Sequence, residues 1–496
     1  MSANPQATRT LAHWAATVPA QWAPSTLRIA EHSLEDTIAA MVAGAGDRVS
    51  ASVRRGLASG AGYIPVIGST KRLCAPLSAL ANGTAAHARE LDEMFFVAGS
   101  HFGCAVIPAI LAQACEMDAS LDQVLDSLIV GSEVMARIGM AMNRAHFEKG
   151  WHGTQTIGVI AAAAACARLR GLDTDKMTHA LSLAVSMAAG PKVQFGTDAK
   201  PLHAGLAAQG GVLAASLAAA GVRGSEVALE GPHGFGALYS GHTMADWSAV
   251  ANVQEDPLAI ESHGFAFKLY PNCASTHRCL DALQALAAEH RFDADEVARV
   301  ETLVGRVNMV NLKHSEPGDP REAMFSMQYA IATMLRYGGV ELADFTPQAV
   351  RDAETRRHMR IVEMRLDPKA ESGEETATNL LPHTTIVTLK DGRRLARSLQ
   401  HPKGSLSNPF SASERQTKFD QCTAGIAPAE RLMEVRQILS APQDIKARRL
   451  LELLQFEAHV DDGERFHRTT GGISRAPTSQ AVRRRRNPES TPASSR

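Results

Sequence analysis

Lys200-Pro201-Leu202-His203 places an ammonium and an imidazole within four residues at a helix opening. A residue before proline is pushed out of the α region and proline favours the first helical position, so Lys200 is predicted at the entrance of a helix over 201–221, with His203 in its first turn. The free N–H groups and positive dipole end of such an entrance favour a carboxylate. Lys200 either pairs with that anion or, once desolvated, serves as a base. Gly150-Trp151-His152-Gly153-Thr154 opens an Ala-rich helix in the same manner, with Thr154 or Thr156 as cap and His152 facing whatever docks there. Histidine changes charge near neutrality and so suits acid–base work. Spacing alone also fits a plainer picture, a solvated lysine and histidines that satisfy buried carbonyls.

Two further stretches extend the chemistry. His87-Ala88-Arg89-Glu90-Leu91-Asp92-Glu93 sets three acids in four positions at a helix end, and His101 follows eight residues after Glu93. Clustered acids in a cleft perturb one another and orient a neighbouring histidine, although a solvated acidic face explains the same run. Phe267-Lys268-Leu269-Tyr270-Pro271 with His277 supplies a second cation where the texture of the sequence changes, and pockets form at such seams. Two cations with several proton carriers suit a small polycarboxylate from which a proton is moved. Gly231-Pro232-His233-Gly234-Phe235-Gly236 lacks both the phosphate-loop and dinucleotide spacings and reads as a turn.

These groups need elements to hold them. Up to about residue 260 the pattern is helical, with helices predicted from Ser33 and over 75–92, 104–117, 120–145, 154–170, 174–189, 201–221 and 224–230. The small residues of 158–167 and 204–220 let two helix backbones approach closely in the middle of a bundle. After Phe265, β-branched alternation marks strands near 297–307 and 361–366, and a hairpin turns at Asp391-Gly392, with helices near 277–290 and 322–337 between them. Helical pattern returns at 413–421 and 428–456. The predicted architecture is mainly α: a large helical domain built from 1–265 and 401–462, an inserted α+β lid over 266–400, and a disordered tail over 463–496 that includes Arg483-Arg484-Arg485-Arg486.

The 496 residues suffice for two domains. Apolar residues make up 45% and aromatic ones only 5%, which suits close-packed helices. A net charge of −1 provides no global field toward nucleic acid or acidic membranes, so neither is expected as a partner. Seven cysteines without a Cys-x-x-Cys pair point to a reducing compartment and give no support for an iron–sulfur or Cys-rich zinc site. The N-terminus lacks a secretory pattern and a cytoplasmic location is expected.

As an ordered set, Ala81-Asn82-Gly83, His87, Leu91-Asp92, Gly150-Trp151-His152, Gly171-Leu172-Asp173, Lys200-Pro201-Leu202-His203-Ala204-Gly205, Gly234-Phe235, Phe267-Lys268, His277 and Lys418-Phe419 resemble the MmgE/PrpD family over about residues 10–455. That family includes 2-methylcitrate dehydratase, cis-aconitate decarboxylase and iminodisuccinate epimerase. The resemblance implies a helical domain with an α+β lid, a homodimer, and lyase chemistry without metal or cofactor, most simply a dehydration of a 2-methylcitrate-like acid as in propionate catabolism. Epimerisation of an aminodicarboxylate, cis-aconitate-type decarboxylation and a catalytically silent carboxylate-binding dimer are the alternatives. It implies a cleft that uses Asp92 or Glu90, His101, His152, Lys200, Lys268 and His277; with the helix-opening residues added, the expected catalytic groups are His101, His152, Lys200 and Asp92, and the expected substrate-binding groups are Lys268, His277, Glu90, His203 and Thr154. Glu90-Leu91-Asp92-Glu93 departs from the family's frequent run of aspartates, and Met309-Val310-Asn311 falls where some decarboxylases carry a tyrosine, which favours dehydration.

Overall fold

A computed structural model describes residues 6–240, 244–374 and 381–460. The predicted tail, with its four consecutive arginines, lies outside the described residues. The mainly α expectation holds. Ala7–Thr17 (α1), Pro24–Ala45 (α2), Ala75–His87 (α3), Gly103–Met117 (α4), Leu121–Glu148 (α5), Gly158–Leu169 (α6), Thr174–Val185 (α7) and Ala199–Ala219 (α8) form a helical bundle.

Small residues decide how close those helices come. A Cβ on Gly83 of α3 would lie 2.9 Å from the Gly205 Cα of α8, and one on Gly205 would collide with the Leu80 carbonyl and Thr84 Oγ1. This close crossing brings the C-terminal end of α3, with His87, beside the first turn of α8, with Lys200. By length and composition α8 could cross a membrane, yet it packs in the core against α3, α4 and α6.

Several predicted boundaries move. The helix expected from Ser33 begins at Pro24, and Ser33 lies inside it, donating sideways to Glu93 Oε1 at 2.8 Å. The helix expected over 75–92 stops at His87, because Glu90 takes a left-handed backbone with φ 53°. The stretch 154–170 is two helices, Gly153–Thr156 and α6. Turns replace the helix expected at 224–230, since Gly224, Gly231 and Pro232 bracket too few residues to repay nucleation.

The second core is an α+β layer. Val297–Val304 (β1), Val362–Leu366 (β2), His383–Leu389 (β3) and Arg394–Leu399 (β4) form one sheet in the order β2-β1-β3-β4. β1 and β2 are parallel, whereas β3 is antiparallel to both β1 and β4. The β3–β4 hairpin turns at Asp391-Gly392, where Gly392 has φ 92°. His277–His290 (α9) and Met327–Tyr337 (α10) cover the sheet, joining Leu280, Leu283, Ile331 and Leu335 to Val300 and Val387. Ala412–Thr423 (α11), Ala429–Ser440 (α12) and Ala447–Leu453 (α13) then contribute Phe419, Val435 and Leu450 to the core of the helical bundle.

Candidate active site

The chain leaving α3 crosses between the two cores, and alternate residues of that crossing face opposite sides. Met94 pairs with Ala266 in both directions, at 2.9 and 2.8 Å, and Phe267 N donates to the Gly404 carbonyl at 3.0 Å. These backbone bonds hold Lys268 against the crossing.

Glu90 and Asp92 organise one side. Lys200 Nζ donates to Glu90 Oε1, and Lys268 Nζ donates to Oε2 at 2.9 Å. Lys200 Nζ also lies 2.6 Å from His87 Nε2, and His87 Nδ1 lies 2.9 Å from both Asp92 oxygens. These partners fix the tautomer: His87 Nε2 accepts from the ammonium and Nδ1–H donates to Asp92. His101 Nδ1 faces two acceptors, Asp92 Oδ2 at 3.0 Å and the Glu93 carbonyl at 3.0 Å, so it carries the proton and leaves Nε2 as a bare acceptor. Thr154 Oγ1 accepts from His101 N at 3.1 Å and seats that residue rather than capping a helix. His152 Nδ1 and His203 Nδ1 lie 3.0 Å apart and share one proton.

Water has little access here, as Lys200 and Lys268 are each only 2% exposed. Burial alone would raise both carboxyls. Lys200, Lys268, His87 and His101 instead hold Glu90 well below the usual range, and His87 and His101 do the same for Asp92. Burial lowers His101 to about 4 despite Asp92, and lowers His152 well below its ordinary value, with Lys200 adding to the effect. Burial would likewise lower Lys268, but Glu90 and Asp92 raise it. The cluster therefore rests with ionised acids, a charged Lys268, and His101 and His152 neutral at pH 7.

Two aromatic rings of the second core roof the cluster. Phe195 and Phe325 lie 5.9 Å apart, 5.3 and 5.5 Å from Lys200 Nζ, and Phe195 packs edge-on to His152 at 4.9 Å. Arg321, four residues before Phe325, donates to the Ala88 carbonyl and Asp47, and to Asp198 at 3.2 Å. One side chain thus ties the lid to the start of the crossing and to the N-cap of α8.

The structure gathers Glu90, Asp92, His101, His152, Thr154, Lys200, His203 and Lys268. Lys200 sits one residue inside α8 rather than before it, because Asp198 takes the cap position. His277 takes the first position of α9; burial, with Lys268 adding to it, lowers its imidazole to about 3, and Nε2 is buried without a partner among the described residues. His87 is the linking residue absent from the predicted set, although its place three residues before Glu90 signalled it. Phe195, Phe325 and Arg321 left no local signal.

His87, Asp92 and Cys104 offer ligand atoms within 4.8 Å of one another. Both Asp92 oxygens already accept imidazole N–H, an ammonium faces His87, and burial together with Asp92 holds the Cys104 thiol well above its ordinary value. Their protons are already placed, and this trio does not fit a cation.

Comparisons with known proteins place this geometry. The MmgE/PrpD N-terminal domain matches residues 9–248 and the MmgE/PrpD C-terminal domain matches residues 270–441. The chain is 30% identical to cis-aconitate decarboxylase of Homo sapiens over 359 residues, covering 70% of this chain and 72% of that protein. It is 25% identical to cis-aconitate decarboxylase of Aspergillus terreus over 485 residues, covering 90% and 95%.

Proposed function

Because this chain belongs to the MmgE/PrpD family and is a lyase, we propose that it removes carbon dioxide from a small unsaturated tricarboxylate of the cis-aconitate type. The observation that carries the reading is the convergence of two buried lysines with two neutral histidines beneath an aromatic roof. Lys200 and Lys268 hold carboxylates that stay. The departing carboxylate lies against Phe195 and Phe325, where loss of charge as carbon dioxide is favoured over a buried anion. The bond to that carboxyl carbon breaks and its electron pair becomes a new C=C bond. The former π pair takes a proton at the far carbon, supplied by the His152–His203 pair. Charge that develops on the remaining carboxylates is met by the ammoniums, already in place.

Dehydration of a 2-methylcitrate-like hydroxy-acid is the second reading, and the bare Nε2 of His101 supports it. That atom would take the proton beside a carboxylate, while His152 protonates the departing hydroxyl. Met309-Val310-Asn311, in place of a tyrosine, supports the same reading. Incubation with a panel of di- and tricarboxylates, read by mass spectrometry, separates the two. Loss of carbon dioxide from cis-aconitate is the expected result, loss of water from a hydroxy-acid supports the second reading, and no change across the panel refutes both.

We propose a homodimer as the working unit, supported by exposed Val193, Leu238 and Met244. A monomeric mass by light scattering would refute it.

A further inference from the structure

Glu90 is already doing what a substrate carboxylate would do. Its two oxygens accept one hydrogen bond each from Lys200 and Lys268, the same cations the proposed reaction needs. The chain accepts backbone strain to put it there, since φ 53° is a left-handed conformation at a residue that is not glycine. The other groups of the cluster are engaged as well. His87 is engaged by Lys200 and Asp92, His101 by Asp92, and the Cys273 thiol is raised first by burial and then by Glu90 itself. A substrate anion entering this cluster meets lysines whose charge is spent.

We propose that Glu90 is an internal carboxylate seated in the substrate's anion site, and that a substrate carboxylate binds by displacing it. This rests on the carboxylate-lyase reading above and deepens it. Once released from both ammoniums, the Glu90 carboxylate stays among buried groups and takes a proton from solvent to become a neutral acid. The exchange makes Glu90 a specificity-determining residue. A ligand with one carboxylate only replaces one bridging carboxylate by another and gains little against a tethered competitor, whereas one that brings a separate carboxylate to each lysine displaces it, so the site selects polycarboxylates.

Isothermal titration of the full-length protein with propane-1,2,3-tricarboxylate, which offers neither a double bond nor a hydroxyl to the chemistry, tests this directly. Glu90→Gln is expected to tighten binding by about fivefold or more, the lower end of usual coupling between competing sites. Difference infrared spectra with ¹³C-labelled ligand are expected to show an unlabelled protonated-carboxyl C=O band on binding to the wild type, and none in E90Q. Glu90→Asp, shorter by a methylene and unable to span both lysines, is expected to tighten binding less and to keep the band. It decides the matter if E90Q does not fold. Equal or weaker binding by the variants, or no carboxyl band in the wild type, overturns the proposal while leaving the lyase reading intact. If neither the wild type nor the variants bind any di- or tricarboxylate, the lyase reading falls and this inference falls with it.

Discussion

The crossing after α3 has two buried acidic faces with opposite electrostatics. Glu90 and Asp92 face Lys200, Lys268, His87 and His101, and these cations and donors hold both carboxyls well below their ordinary values. Glu93 and Asp36 lie behind. Ser33 donates to Glu93 at 2.8 Å, and a Cβ on Gly103 would collide with Thr37 Oγ1, so the Glu93 carboxyl fills a space only glycine leaves open. Burial pushes Glu93 up to about 8 and Asp36 up to about 6, although Lys418 donates to Asp36 and, at 2.9 Å, to the Leu91 carbonyl. Equal burial therefore yields ionised acids in front and, behind, a Glu93 that keeps its proton at pH 7 beside an Asp36 that Lys418 holds nearer the ordinary range. The count of nearby cations decides between them. The front keeps charged groups where the proposed chemistry would use them, and the back ties the crossing to α2 and α11.

Breaking the front should cost turnover and spare the fold. His152→Ala is expected to lower turnover by about two to four decades, the scale of an acid–base group, with an unchanged circular dichroism spectrum. Lys268→Met should cost about two to three decades in kcat/KM, as for loss of a donor that meets developing charge. Turnover within a factor of two of the wild type in either variant would remove that residue from the mechanism.

The pH profile sharpens the same contrast. His101 is lowered to about 4, chiefly by burial, so its base form persists well below the ordinary imidazole value of 6.5. Under the dehydration reading, in which His101 is the base, the acid limb of kcat/KM should accordingly have its midpoint nearer 4 than 6.5. A midpoint at 6.5 would mean that the working histidine is solvated before substrate arrives.

How much of this the sequence displayed depends on the range of the signal. Helix caps, small-residue stripes and the Asp391-Gly392 turn are local, and most of the bundle and the hairpin follow from them. Lys200-Pro201-Leu202-His203 and Trp151-His152-Gly153-Thr154 drew attention because unusual residues crowd one helix end. The meeting of His87 with Lys200 needed the Gly83–Gly205 crossing, a contact between residues far apart in the chain. Ser33 looked like a cap because its neighbours are acidic, but its hydroxyl is spent on Glu93, sixty residues away. Phe195, Phe325 and Arg321 act across the two cores, and Lys418 joins distant parts of the helical bundle, so no spacing announces what they touch.

Lys418→Met attacks the rear face. Asp36 then loses its cation and the Leu91 carbonyl its donor, a cost of roughly 1–3 kcal/mol for buried groups left without partners. Thermal unfolding should show a clear fall in Tm, while kcat falls less than about tenfold, well short of the decades expected for an acid–base group in front. A loss of kcat as large as that of His152→Ala would show that the two faces are one unit.

Glu93→Gln should give the smallest effect, and its sign follows from linkage. The folded carboxyl is raised from 4.5 to about 8, so between those values the unfolded chain has lost a proton that the folded chain keeps. Stability carried by this group is then fully present below pH 4.5 and is lost as pH rises toward 8. Glutamine has no proton to lose, so E93Q should lose less Tm than the wild type between pH 5 and pH 8. The slope will not vanish, because Asp36 titrates nearby at about 6 and keeps its own share. Parallel Tm curves for the two proteins would mean that Glu93 is ionised in the folded state, and the rear face would then need a cation as the front does.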